Sequence, residues 1–145
     1  MYQHLLDALP YSRPFLFVDH IDEISDQHIT GRYTYRTDET FYEGHFKNNP
    51  VTPGVILIET MAQIGGVLLG FHLLGSAMHQ YQPLFTHIEN AEFLGTVLPN
   101  TTVIVTAQKQ YFRRNVLKVA AEMTNTNGTP LCNCTISCQF VERKT

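Results

Sequence analysis

Hydrophobic and polar positions change period several times along the chain. YQHLLDALPY (2–11) spaces its apolar residues for a short amphipathic helix stopped by Pro10, and PFLFVDHIDEI (14–24) then alternates as a strand does. A turn around Ser25 to Gln27 leads to HITGRYTYRT (28–37), whose β-branched and aromatic residues predict a second strand. After the loop DETFYEGHFKNNPVTPG (38–54) comes VILIETMAQIGGVLLGFHLL (55–74), apolar nearly all round and long enough for about five and a half helical turns, or ~30 Å. Four strand-like runs complete the chain: THIENAEFLGTVLP, TTVIVTAQKQYF, NVLKVAAEMT and LCNCTISCQFVER. Turn signals separate them at Pro99-Asn100, Arg113 to Asn115 and Asn127-Gly128. Short links join antiparallel neighbours, so the pattern predicts an α+β arrangement, one long buried helix wrapped by an antiparallel sheet. With no internal repeat, low-complexity tract or linker, residues 1–145 read as a single domain.

The apolar run is also long enough to span a membrane. Glu59 and Gln63 sit one turn apart near its start and no cluster of Lys or Arg flanks it, which favours a core helix over a membrane span. A chain of 145 residues, 43% hydrophobic and 16% charged, can build its own core. Its net charge of −3 excludes a general nucleic-acid or anionic-membrane binder, which would carry a broad basic face. The opening MYQHLLDALP has neither the basic start nor the apolar core of a secretory leader, and the cysteines are odd in number, so a reducing, cytoplasmic setting is expected. Cys132, Cys134 and Cys138 fall on one face of a strand with no nearby histidine to complete a tetrahedral metal set, and read as small buried apolar side chains.

Three features of EGHFKNNPVTPGVILIETMAQIGG (43–66) carry chemistry. Burial near the start of an apolar helix favours the protonated form of Glu59, making it a proton donor, although a glutamate paired with a basic residue or turned to solvent fits the pattern too. His45, between a glycine and an aromatic residue, can take a proton and return it near neutral pH; taken alone, such a histidine is more often a loop or core residue. Pro53-Gly54 sets the helix start and leaves the Gly54 N–H at the positive end of the helix dipole, where a developing oxyanion would be stabilised, or else it is a routine helix start.

Together these residues resemble the hotdog-fold 3-hydroxyacyl-acyl-carrier-protein dehydratases of type II fatty-acid synthesis. The resemblance covers nearly the whole chain: LPYSRPFLFVDHI is similar to the leading motif of that family, FYEGHFKNNPVTPGVILIETMAQIGG to its active-site motif, and IENAEFLGTVLPN to its first strand after the helix. It implies a hotdog fold, a homodimer or higher multiple of dimers with sheets joined edge to edge, and active sites at the dimer interface. His45 is then the base, the Gly54 N–H the oxyanion donor and Glu59 the acid that protonates the departing hydroxyl of a (3R)-3-hydroxyacyl thioester, with Phe46, Val55 and Gln63 against the substrate. No metal or organic cofactor is required. The chain departs from the family at Asn48-Asn49-Pro50, usually Gly-His-Pro, at Thr52, usually a larger apolar residue, and at Tyr11, usually histidine. These positions bear on the acyl group rather than on the chemistry.

Two other readings use the same helix carboxylate or none: a hotdog acyl thioesterase or enoyl hydratase, and a non-catalytic acyl-binding subunit. Gly44-His45-Phe46, which hydrolysis does not need, stands against the thioesterase, and retention of both His45 and Glu59 against the inert subunit. The acidic acyl-carrier protein would need a basic patch, and Arg113 and Arg114 with Lys109 and Lys118 form the local cluster, although charges on a hairpin are more often simply solvated.

Overall fold

The computed structural model describes residues 1–144. Helix α1 (Gln3–Asp7) precedes strands β1 (His20–Ile24) and β2 (His28–Thr34) and a 3-10 turn (Thr40–Glu43). The long helix α2 (Gly54–Gln80) follows, and then β3 (Tyr81–Phe93), β4 (Thr102–Arg113), β5 (Val116–Asn125) and β6 (Pro130–Glu142). All pairings are antiparallel, in the order β1-β2-β4-β5-β6-β3. The turns predicted at Asn100, Arg114-Asn115 and Gly128 hold residues at positive φ, as tight reversals require. Alternate residues of β4 and β5 are buried, so one face of the sheet is committed to packing on α2.

Helix α2 opens as an α-helix at Gly54–Met61, widens into π-helical turns over Ala62–Leu68, returns to α at Leu69–Leu74 and closes in a 3-10 turn at Gly75–Gln80. It runs along β6, Gly66 beside Cys138 and Gly70 beside Phe140; a Cβ on Gly70 would lie 2.0 Å from the Phe140 ring, so only glycine allows that crossing. Of its most apolar stretch, 72% is buried within the chain, as the core-helix reading predicts. The hotdog arrangement of one helix wrapped by an antiparallel sheet is therefore the observed fold.

Two elements differ from expectation. PFLFV is not a strand: β1 starts at His20, and the backbone of Phe15 and Phe17 bonds to the Gln63 side chain instead of to a neighbouring strand. The strand expected from Thr86 begins at Tyr81, with Pro83 tolerated because β3 is an edge strand, and it ends at Phe93, where the N–H groups of Leu94 and Gly95 both turn to the Leu131 carbonyl. The three cysteines are free and buried, and burial pushes Cys132 up to about 11 and Cys134 and Cys138 up to about 12, so they are apolar filling rather than nucleophiles.

Candidate active site

Pro53, with extended ψ, leads into α2, and no side chain caps the first turn. The first N–H groups of any helix lack intrahelical acceptors, so those of Gly54 and Val55 are available at the positive end of the dipole. The Phe93 ring lies over Gly54: a Cβ there would stand 2.8 Å from Phe93 Cε1. Glycine is required for this close approach.

His45 follows the 3-10 turn, its N–H and that of Gly44 both donating to the Phe41 carbonyl. Its ring stacks on Phe46 at 4.1 Å. Nδ1 lies 2.9 Å from the Val51 carbonyl oxygen. A carbonyl only accepts, so Nδ1 carries the hydrogen, and in the neutral ring Nε2 is the nitrogen with the free lone pair that a general base uses. The loop closes on itself through the Val51 N–H, which donates to the His45 carbonyl at 2.8 Å, and the Thr52 N–H donates to the Val97 carbonyl at 2.8 Å.

Gln63 is fully buried, and its partners leave its carboxamide one orientation. Oε1 accepts from the Phe17 N–H at 2.9 Å, while Nε2 donates to the Phe15 carbonyl at 3.0 Å and to Glu59 Oε2 at 2.9 Å. Burial raises the pKa of Glu59, and the Gln63 hydrogen bond opposes that rise in part. Because Oε2 accepts from Gln63, the proton of the neutral acid sits on Oε1. When protonated, Glu59 therefore presents Oε1 as its donor oxygen, an arrangement that general-acid chemistry can use.

Gln63, expected against the substrate, directs its carboxamide to Phe15, Phe17 and Glu59. Phe46 and Val55 are more than half exposed beside His45 and the helix start. No hydrogen bond joins His45 to Glu59 within the chain, among the described residues. Burial holds the Tyr11 phenol above its ordinary range, and Glu59 and Cys138 add to the rise. Lys118 lies 3.8 Å from Glu89, Arg113 lies over the Tyr111 ring, and their hairpin packs by Phe140 towards the far end of α2 from Gly54. The contribution of Phe93 carries no sequence signal, since its contact with Gly54 joins distant segments, and the Val51 carbonyl is a backbone group that no side-chain pattern marks, whereas Tyr11 stands out in the sequence as a departure from the family motif.

A family model described as a FabA-like domain matches residues 9–131. The 3-hydroxyacyl-[acyl-carrier-protein] dehydratase FabZ of Aeromonas salmonicida is 34% identical over 140 residues, covering 94% of this chain and 90% of that one. The FabZ of Pseudoalteromonas translucida is 35% identical over 137 residues, with coverage of 94% and 90%. Among solved structures, the dehydratase heterocomplex ApeI:P from Xenorhabdus doucetiae superposes with a TM-score of 0.79 at 16% identity, covering 97% of this chain and 91% of that one. A mutant thioesterase from Pseudomonas aeruginosa gives a TM-score of 0.73 at 15% identity, with coverage of 99% and 95%. At such identities the two structures share a fold with this chain and carry no assignment of activity.

Proposed function

The chain belongs to the FabA-like family, and on that premise we propose that it is a 3-hydroxyacyl-acyl-carrier-protein dehydratase converting a (3R)-3-hydroxyacyl thioester to the trans-2-enoyl thioester. The observation that carries this reading is Glu59, a carboxyl group whose burial favours the proton-bearing form and whose donor oxygen is fixed by Gln63. His45 Nε2 takes the C2 proton as charge moves into the thioester carbonyl. The Gly54 N–H stabilises that charge, and a donor of this kind is worth about 3 to 4 kcal/mol in the transition state. The C3–O bond breaks as Glu59 Oε1 delivers its proton, water leaves, and the electron pair from the C2–H bond becomes the new C2–C3 π bond. Proton transfer from His45 back to Glu59, through solvent or directly, resets the site.

The acid and base belong to different halves of a dimer. β3 is a 13-residue edge strand, and Val55, Leu84, Ile88, Phe93, Leu94 and Leu98 expose about half or more of their surface along it and beside the helix start. An exposed apolar edge of this length invites pairing with a second chain. Two β3 strands related by a two-fold axis run antiparallel, which reverses the partner and lays its Gly54 end alongside the Leu84 end and the Arg113-Arg114 hairpin of this chain. A site shared between His45 of one protomer and Glu59 of the other is what the family resemblance implies, and the subunit-exchange experiment below decides it. The antiparallel pairing also puts the basic hairpin near the partner's site, where an acidic carrier would dock. The enzyme works in the cytoplasm as one domain per chain.

Turnover of a carrier-linked 3-hydroxyacyl substrate, followed by enoyl absorbance, tests the reaction; release of free thiol without enoyl product would establish a thioesterase instead. Mixing inactive His45→Ala with inactive Glu59→Gln under verified subunit exchange tests the sharing, because random exchange restores roughly a quarter of wild-type activity only if the sites are shared.

A further inference from the structure

We infer that Tyr42 and Thr52 form a buried hydroxyl pin that positions the base, fixing the His45 loop against the start of α2. The inference rests on the dehydratase reading for its catalytic consequence and on geometry for everything else. Tyr42 and Thr52 are 7% and 4% exposed, and their hydroxyl oxygens lie 2.5 Å apart. Between them every residue from Glu43 to Val51 is exposed or half-buried, so the loop that carries His45 has no buried side chain of its own. Its anchors are the two ends, and the Tyr42–Thr52 bond ties those ends to each other.

Both groups that the loop must place lie next to the pin. Tyr42 is three residues before His45, in the turn whose Phe41 carbonyl accepts the His45 N–H. Thr52 follows Val51, whose carbonyl holds His45 Nδ1 at 2.9 Å, and precedes Pro53-Gly54. Burial raises the Tyr42 pKa, which keeps the phenol an O–H group over the working range. An apolar pair of the same shape would fill the space equally well, but could slide. A hydrogen bond between two buried hydroxyls fixes the register of the loop, because its strength falls steeply with distance and angle. A shift of Val51 releases Nδ1, and the imidazole is then free to take the other tautomer, in which Nε2 carries the hydrogen and cannot act as base.

The deciding variant is Tyr42→Phe/Thr52→Val, which removes both hydroxyls and leaves no orphaned polar atom, so the fold should survive. We expect kcat to fall by about ten- to a hundred-fold with KM within about twofold, the signature of lost positioning rather than lost binding. Nitrogen NMR of labelled imidazole should show the Nδ1-protonated form of His45 in the wild type and a tautomer mixture in the double variant. Thr52→Ser keeps the hydroxyl and should retain wild-type kcat and spectrum even if it melts earlier, which preserves the test if the double variant unfolds. Wild-type kcat in the double variant, an unchanged His45 spectrum there, or loss of kcat in Thr52→Ser would each overturn the pin. If the wild type itself turned over no 3-hydroxyacyl substrate, the dehydratase reading would fail, and the imidazole spectra alone would decide the pin.

Discussion

Replacing Gln63 by leucine isolates what one buried carboxamide does for both fold and acid. Leucine fills similar space but removes three hydrogen bonds, leaving the Phe17 N–H and the Phe15 carbonyl without their partner and freeing Glu59 Oε2. An orphaned buried backbone group costs about 1 to 3 kcal/mol, and because Phe15 is exposed and its carbonyl can turn to water, the buried Phe17 N–H should account for a loss of about that size. For a domain of this size each kcal/mol moves Tm by about 3 to 4 °C, which gives a fall of about 3 to 12 °C. Activity should fall as well, by about ten- to a hundred-fold in kcat, because Glu59 loses the donor that fixes its proton on Oε1. The pH dependence runs the other way. Burial raises the Glu59 pKa and Gln63 opposes it, so removing Gln63 leaves burial unopposed and the carboxyl stays protonated to higher pH. The alkaline limb of kcat, where the acid is lost by ionisation, should therefore move up. Thermal melting and an enoyl-absorbance pH profile measure all three. A Tm within about 2 °C of wild type, or an alkaline limb that moves down, would refute the assigned orientation of the carboxamide.

Other expectations follow from the same contacts. His45→Ala and Glu59→Gln should each lower kcat by about 10² to 10⁴ without unfolding the protein, and near-wild-type turnover in either would remove that residue from the mechanism. Because the folded pKa of Glu59 is raised, its favourable contribution to stability is complete below the unfolded pKa and is lost as pH rises through the folded value. Glu59→Gln should thus raise Tm relative to wild type at neutral pH, with the gain shrinking towards about pH 4; calorimetry showing the opposite trend would contradict the burial argument. Gly54→Ala should depress kcat because its Cβ meets the Phe93 ring, and Phe93→Ala in the same chain should recover part of it; an additive double mutant would separate the two residues. Reversing Arg113 and Arg114 to Glu should raise KM for carrier-linked substrate and spare a small thioester analogue, and equal effects on both would dismiss the docking role.

Much of this molecule is legible from local pattern. The alternation in β2, β4, β5 and β6 and the near-continuous apolar face of α2 are set by which side each residue must bury, and the turns at Asn100, Asn115 and Gly128 by backbone that few residues tolerate. The misread parts lack a local cause. PFLFV has the composition of a strand, but its backbone partner is a side chain 46 to 48 residues away. Tyr81 to Phe85 carries Pro83, which argues against a strand everywhere except at an edge, and nothing in the sequence marks β3 as the edge. His45, Gly54 and Glu59 stand out because their chemistry is intrinsic to the residue and its immediate setting. The hydrogen-bond partners of Gln63, Tyr42 and Thr52 do not, because they are set by contacts that no local pattern marks.

The same distinction bears on why one chain is an incomplete unit. Fully burying a large aliphatic or aromatic side chain is worth about 1.5 to 3 kcal/mol, so covering the exposed half of each of the six apolar residues along β3 and the helix start yields roughly 1 kcal/mol apiece. Two chains together gain about 12 kcal/mol, against an association cost of about 4 to 15 kcal/mol. Apolar burial alone therefore brings the dimer near balance, and the backbone hydrogen bonds of a joined β3 ladder, each worth about 1 kcal/mol net, tip it towards association. The margin depends on the middle of the strand. Ile88, paired with Ile136 and so turned to the helix side of the sheet, is half exposed at that centre. A lysine there would put two like charges close to the two-fold axis and remove apolar area from both chains at once, because any change at a symmetric interface counts twice. Ile88→Lys should consequently give folded monomers that retain the Glu59–Gln63 and His45–Val51 contacts yet turn over no substrate. An active Ile88→Lys monomer in sedimentation and activity measurements would show that acid and base meet within a single chain.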